Sequence, residues 1–192
     1  MFILYIPAVS IKSERCLCRQ MFSLLLLVLP LLAEGASSDG VGCVLPAAST
    51  ETFYMTTEEK PWYQQYQYEV PGLFDLGCVT YVQSPGESDT EMYLTGNFSK
   101  APLFPLNSYV SVTGNKLDKV YDGVWESLLS GPYNVVYSHE DFIMDHYCFL
   151  GYEMAQIFTT VKEPSDELME LIWEVVSNHT EVDKSKFKKV VC

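Results

Sequence analysis

The stretch Trp62-Tyr63-Gln64-Gln65-Tyr66-Gln67-Tyr68-Glu69-Val70 puts Trp62, Tyr66, Tyr68 and Val70 on one face of an extended chain. Tyr63, Gln65, Gln67 and Glu69 fall on the other, which is the pattern of a strand with one side to bury. The same texture continues to about residue 160, as short runs rich in Tyr, Val, Thr and Phe. Turn clusters separate them at Ser84-Pro85-Gly86, Pro105-Leu106-Asn107, Gly114-Asn115 and Ser130-Gly131-Pro132. Further strands are predicted at 78–83, 90–97, 108–112, 120–128, 133–138, 143–149 and 153–160. Eight strands in antiparallel succession close into an all-β, up-and-down barrel whose interior holds one small ligand. A sandwich is the competing architecture, but it predicts no helix and gives no reason for a Cys near each end of the folded part.

Beyond the strands the period changes. Pro164-Ser165-Asp166-Glu167 opens a segment in which Leu168, Leu171, Ile172 and Val175, joined by Met169 and Val176, recur at helical spacing. Ser165 suits the N-cap and the two acids suit the positive end of the helix dipole. One C-terminal α-helix is therefore expected to pack outside the barrel, with Trp173 at the margin of its packed face. A lysine-rich tail ending in Cys192 follows it.

The 192 residues, 48% of them apolar, suffice for one sizeable core. Twenty-five acidic against twelve basic residues give a net charge of −13, which excludes a nucleic-acid surface built on clustered Lys and Arg. The longest apolar run, Met21-Phe22-Ser23 through Leu31-Leu32-Ala33, is interrupted by Pro30 and falls short of the roughly twenty residues of a membrane span. With Lys12, Arg15 and Arg19 before it and Ala33-Glu34-Gly35-Ala36 after it, it reads as a signal core. Residues 1–35 are expected to be a signal peptide, with 1–20 an upstream extension if Met21 is the start, and 36–192 one barrel domain. The protein is expected to be secreted and extracellular. Of the six Cys, Cys43, Cys78, Cys148 and Cys192 remain after cleavage, an even set that implies two disulfides with three connectivities open. Asn97-Phe98-Ser99 and Asn178-His179-Thr180 are glycosylation acceptors. No metal site is expected, because no two of these Cys and no His stand at ligand spacing.

The chain order of these features resembles the lipocalins, and within them the apolipoprotein-D-like and arthropod pigment-binding branch. The resemblance covers 43–192. Phe53 stands nine residues before Trp62-Tyr63, as in the first family block, with Lys60 where the family has Gly. Residues 133–142 resemble the second block, with Asp141-Phe142 as its Asp-Tyr pair, and the Arg that closes the third block reads Thr160. The resemblance implies disulfides Cys43 to Cys148 and Cys78 to Cys192. It also implies Trp62 as a structural floor plug, with Phe53 and Asp141 as structural partners. With Thr160 too short to cover Trp62, Lys162 or Phe53 is expected to replace the missing Arg.

No nucleophile, base and acid stand together, and an enzyme is not expected; His146 reads as a wall residue. An isomerase of this fold would need a free Cys, and none remains. The thirteen Tyr suit an interior for a hydrophobic ligand with a few polar groups. Tyr66, Tyr68, Tyr81, Leu94, Tyr109, Trp125, Val135 and Tyr147 are the expected ligand-binding residues, with the mouth near Leu73, Phe104 and Trp125. The function implied is a secreted carrier of a retinoid, carotenoid, bilin, sterol or fatty acid, without a required cofactor, nucleic-acid partner or membrane span. Homo-oligomers stay open as partners. The alternative is an interaction or inhibitor protein acting through its loops.

Overall fold

A computed structural model of the chain describes residues 43–50, 53–69, 76–123, 126–179 and 182–191. They belong to one compact unit, Gly42–Cys192. The signal segment, Val70, Leu73, Trp125 and Cys192 lie outside the described residues. Eight strands run antiparallel in chain order: β1 Lys60–Tyr68, β2 Val79–Pro85, β3 Glu91–Phe98, β4 Ala101–Thr113, β5 Lys116–Tyr121, β6 Gly131–Ser138, β7 Phe142–Phe149 and β8 Tyr152–Thr159. Helix α1, Asp166–Asn178, follows, and then the short strand β9, Phe187–Lys189.

The barrel closes through β1, whose two edges serve three partners. One edge pairs with β8, from Tyr63 opposite Thr159 to Gln67 opposite Gln156. The other is divided: Lys60–Tyr63 pair with β2, and Tyr66–Tyr68 pair with β9. The terminal tail thus completes the edge that β2 leaves bare, capping backbone groups that would otherwise face solvent.

Two cores result. The lumen holds Phe53, Trp62, Val79, Tyr81, Met92, Leu94, Leu106, Val110, Leu117, Tyr121, Tyr133, Val135 and Phe158 among others. A second layer lies between the outer barrel wall and α1, where Tyr68, Val136, Phe142, Met144, Ala155 and Ile157 meet Ile172, Val176, Val182 and Phe187. Ser165 caps α1 as expected, its hydroxyl accepting from the Leu168 N–H at 3.3 Å. Leu171, expected on the packed face, is exposed, and Trp173 instead packs edge-on against Tyr66 at 4.7 Å.

Other expectations change as well. The cluster Pro105-Leu106-Asn107, expected as a turn, lies inside β4. The strand predicted at 120–128 is β5 at Lys116–Tyr121, with a single 3-10 turn at Glu126–Leu129. Lys119 hides this strand because it occupies an inward position between Leu117 and Tyr121. Tyr66 and Tyr68 do not line the lumen. A register shift in β1 between Gln64 and Tyr66 turns the chain over, so that both rings point outward to α1 and β9 while Trp62 points in.

Cys43 bonds Cys148, joining the N-terminal segment to β7 across a separation of 105 residues. Cys78 is disulfide-bonded as well, and Cys192, its expected partner, falls outside the described residues. For a loop of about a hundred residues the chain-entropy model gives a stabilisation of about 4–5 kcal/mol before strain. Replacing Cys43 and Cys148 together by Ala should lower the urea-derived unfolding free energy by about 3–5 kcal/mol. A loss below about 1 kcal/mol would show that this segment is held by packing alone.

Candidate ligand-binding site

The strand registers place Trp62, Gln83, Met92, Ile143 and Phe158 toward one end of the barrel. Val79, Leu106, Tyr121, Tyr133 and Tyr147 lie toward the other. The first end is the floor. There Phe53 packs into the lumen beside Trp62, whose indole N–H donates to Gln83 Oε1 at 2.8 Å. The cation over Trp62 is Lys60, with Nζ 5.7 Å from the ring centroid and 5.0 Å from that of Tyr54. Lys162, expected in this role, is exposed, and its carbonyl accepts from the buried Gln65 side chain. Lys60 wins because it lies two residues before Trp62 on the same strand, where its stem reaches across the strand end while its ammonium stays near water. It also anchors on the Glu140 carbonyl of the neighbouring turn. Asp141 is half exposed in that turn, and its carbonyl accepts from Thr160 N–H at 3.0 Å.

Above the floor lies a buried ion pair. Lys119 Nζ of β5 stands 3.1 Å from Asp145 Oδ2 of β7, and each side chain is 3% exposed. The Lys119 ammonium also lies 3.8 Å from the Tyr133 ring centroid. Tyr133 stacks on Tyr147 at 4.4 Å and its hydroxyl donates to the Leu129 carbonyl. The Tyr81 and Tyr121 hydroxyls bond each other at 2.9 Å across the lumen. Burial drives the pKa values of Tyr81, Tyr133 and Tyr147 upward, with neighbouring phenols and the Asp145 carboxylate adding to it, so these hydroxyls stay neutral donors. Gly96 makes room for this layer: a Cβ there would collide with the Thr80 carbonyl and the Tyr81 ring.

Between floor and tyrosines these side chains leave a cavity of about 30 Å³, bounded by Phe53, Trp62, Tyr81, Gln83, Met92, Leu94, Leu117, Lys119, Ile143, Asp145 and Phe158. Two of these residues each hold one polar atom that is buried with no hydrogen-bond partner among the described residues: Gln83 Nε2, a donor, and Asp145 Oδ1, an acceptor. Lone buried valences are costly, and both belong to residues that line this cavity.

Of the expected ligand-binding residues, Tyr81 and Leu94 line this cavity, and Val135 and Tyr147 face the lumen near it. Tyr66 and Tyr68 lie under α1. Tyr109 is on the outer wall, its ring tilted against that of Tyr93 at 5.7 Å and its hydroxyl donating to Glu91, which raises its pKa to about 12. It sits one position off the inward Ser108 and Val110. Trp125 lies outside the described residues. Gln83, Lys119 and Asp145 were missed, because polar side chains at these positions look solvent-facing until the closing pairs are known. Asn97 and Asn178, the sequon residues, are both exposed. Among the described residues no three His, Cys, Asp or Glu side chains come together as a metal site, and no helix is long and apolar enough to cross a membrane.

On the outer side of β7, His146 is fully buried, with Nδ1 3.4 Å from Glu153 Oε1 and the Tyr68 ring edge-on at 5.6 Å. Lys186 of the tail holds the other Glu153 oxygen at 3.1 Å. Desolvation lowers the His146 pKa below 6.5, with the Glu153 and Asp145 carboxylates opposing it. The folded state therefore prefers neutral imidazole. The stability it contributes is present above 6.5, the unfolded-state value, and is lost as pH falls below it. Urea unfolding on both sides of that pH should show this acid loss in the native chain and a flatter profile in His146→Leu; an unchanged profile would exclude His146 as its source.

The barrel matches solved structures. H1 crustacyanin from the lobster Homarus americanus superposes with a TM-score of 0.54 at 15% identity, over 80% of this chain and 93% of that one. Insecticyanin from the tobacco hornworm Manduca sexta gives 0.58 at 10% identity, over 79% and 87%. A biogenic amine-binding protein gives 0.53 at 9% identity, over 74% and 84%. The closed eight-stranded barrel with one extra strand and one C-terminal helix is the lipocalin fold that the resemblance implied. No protein-family model matches the chain, and no curated protein matches its sequence.

Proposed function

We propose that the protein is a secreted, extracellular binding protein that takes a small ligand into its barrel. The observation that carries this reading is the lumen cavity, in which the polar residues Gln83, Lys119 and Asp145 stand among the aromatic walls of Phe53, Trp62, Tyr81 and Phe158. The similar folds of a crustacyanin, an insecticyanin and a biogenic amine-binding protein support it, and the last by its name binds biogenic amines. The disulfides support secretion. The cavity has the size of one or two waters, so a retinoid, carotenoid, bilin, sterol or fatty acid would have to displace Tyr81, Tyr121 and Met92. A compact guest needs far less movement, and the ligand is proposed to be compact.

The alternative, action through the loops on another protein, is favoured by a different observation. Leu76, Leu103, Phe104, Leu128 and Leu150 are exposed at the end of the barrel opposite Trp62, Leu103 to 90%. Native mass spectrometry of the protein from its source separates the two readings. A bound small molecule, lost in Leu94→Phe, which fills the cavity, is the expected result. A bare native chain that captures a protein partner, lost in Leu103→Asp, would overturn the carrier.

A further inference from the structure

Of the two glycan acceptors, Asn97 stands on a surface suited to a glycan. It lies on β3, where alternation buries Met92 and Leu94 and turns Tyr93, Thr95 and Asn97 outward. Three rows of outward side chains cross the wall there, from Thr80 through Asn97 to Pro105, from Val82 through Thr95 to Asn107, and from Ser84 through Tyr93 to Val120. None of these residues is charged, in a chain of which 19% is charged. Charge returns only in the next row, at Glu91 and Asp118. Tyr93 is 41% exposed, Val82 39% and Val120 51%. Soluble proteins seldom leave a continuous neutral surface with exposed apolar bulk bare.

Resting on the reading that the protein is secreted, we infer that Asn97 carries an N-linked glycan and that this glycan lies along β3 over Tyr93. Asn97-Phe98-Ser99 has the required form. In the transfer the Asn97 side-chain nitrogen bonds the anomeric carbon of a lipid-linked oligosaccharide, the bond from that carbon to the diphosphate oxygen breaks, and the amide gives up one proton. In the folded chain the Ser99 hydroxyl accepts from the Cys78 N–H at 3.0 Å, and Asn97 is paired with Thr80. The acceptor is therefore used before β2 and β3 meet, on the chain as it is secreted. Once the barrel closes, the attachment point stands on the wall itself, four residues or about 13 Å from Tyr93 along the strand, within reach of a branched oligosaccharide. Its hydroxyls meet the Thr, Asn and Ser side chains of the three rows, and the apolar faces of its rings meet Tyr93 and Val82. A neutral sugar needs no counter-charge, which suits a wall that offers none.

The full chain secreted by cultured animal cells tests this. Peptide mapping after enzymatic removal of N-glycans in heavy-oxygen water should show Asn97 converted to labelled Asp. In hydroxyl-radical footprinting Tyr93 should be oxidised several-fold more slowly in the glycosylated chain than in the deglycosylated one, while Tyr152 of β8, 53% exposed, is oxidised equally in both. The protection should be lost in Asn97→Gln, which keeps the Asn178 acceptor. A secreted chain whose Asn97 stays unlabelled overturns the modification. Equal oxidation of Tyr93 with and without the glycan, or protection that survives Asn97→Gln, overturns the cover. A chain that never reaches the medium defeats the secretion reading, and this inference with it.

Discussion

The ion pair between Lys119 and Asp145 is the constraint around which the lumen is organised. The two residues come from β5 and β7, so the bond spans the inner face of β6 and fixes three strands relative to one another. Two charges out of water are tolerated only if they meet closely and their remaining valences are used. Lys119 uses the Tyr133 ring; Asp145 leaves one oxygen open. The layer of Tyr81, Tyr121, Tyr133 and Tyr147 above the pair lowers the cost, because phenols supply dipoles and ring faces without adding charge. The cavity is the residue of that arrangement: polar on the side of Gln83 and Asp145, aromatic elsewhere.

The second core depends on two local irregularities rather than on a charge. The register shifts between Gln64 and Tyr66 in β1, and between Val135 and Tyr137 in β6, each turn part of a strand over. Below the shift, Trp62 and Val135 face the lumen. Beyond it, Tyr66, Tyr68 and Tyr137 face outward, where α1 and β9 cover them. A barrel with unbroken alternation would have offered the helix a polar wall. The shifts let one sheet serve two hydrophobic layers, and the tail, which pairs with β1 at the shifted positions, closes the second.

Much of this was legible in the sequence. The number of strands, the helix with its Ser165 cap, and the place of Trp62 and Phe53 follow from periodicity, capping chemistry and the resemblance. What escaped did so for physical reasons. A strand shift moves a side chain to the opposite face without altering the alternation that a reader sees, so Tyr66 and Tyr68 looked lumenal. Tyr109 was one position from the inward residues, a difference that only the register settles. Lys119 read as solvent-facing because its partner is 26 residues away, on a strand two places along the sheet. For the same reason the strand it belongs to was placed too late. The cover of Trp62 was sought after the third block at Lys162, whereas Lys60, standing where the family has Gly, supplies it.

The central claim is that a buried charge pair, and not an ordinary apolar core, holds the centre of this barrel. A double-mutant cycle measures it directly, with Lys119→Met, Asp145→Leu and the two together compared by urea unfolding. Each single change leaves one uncompensated buried charge and should cost about 3–5 kcal/mol, while the double change, which removes both charges, should cost much less than the sum. A coupling of about 2 kcal/mol or more is the predicted result. Additive losses, equal within about 0.5 kcal/mol to the sum of the singles, would mean that the two side chains do not meet inside the barrel and would contradict the account.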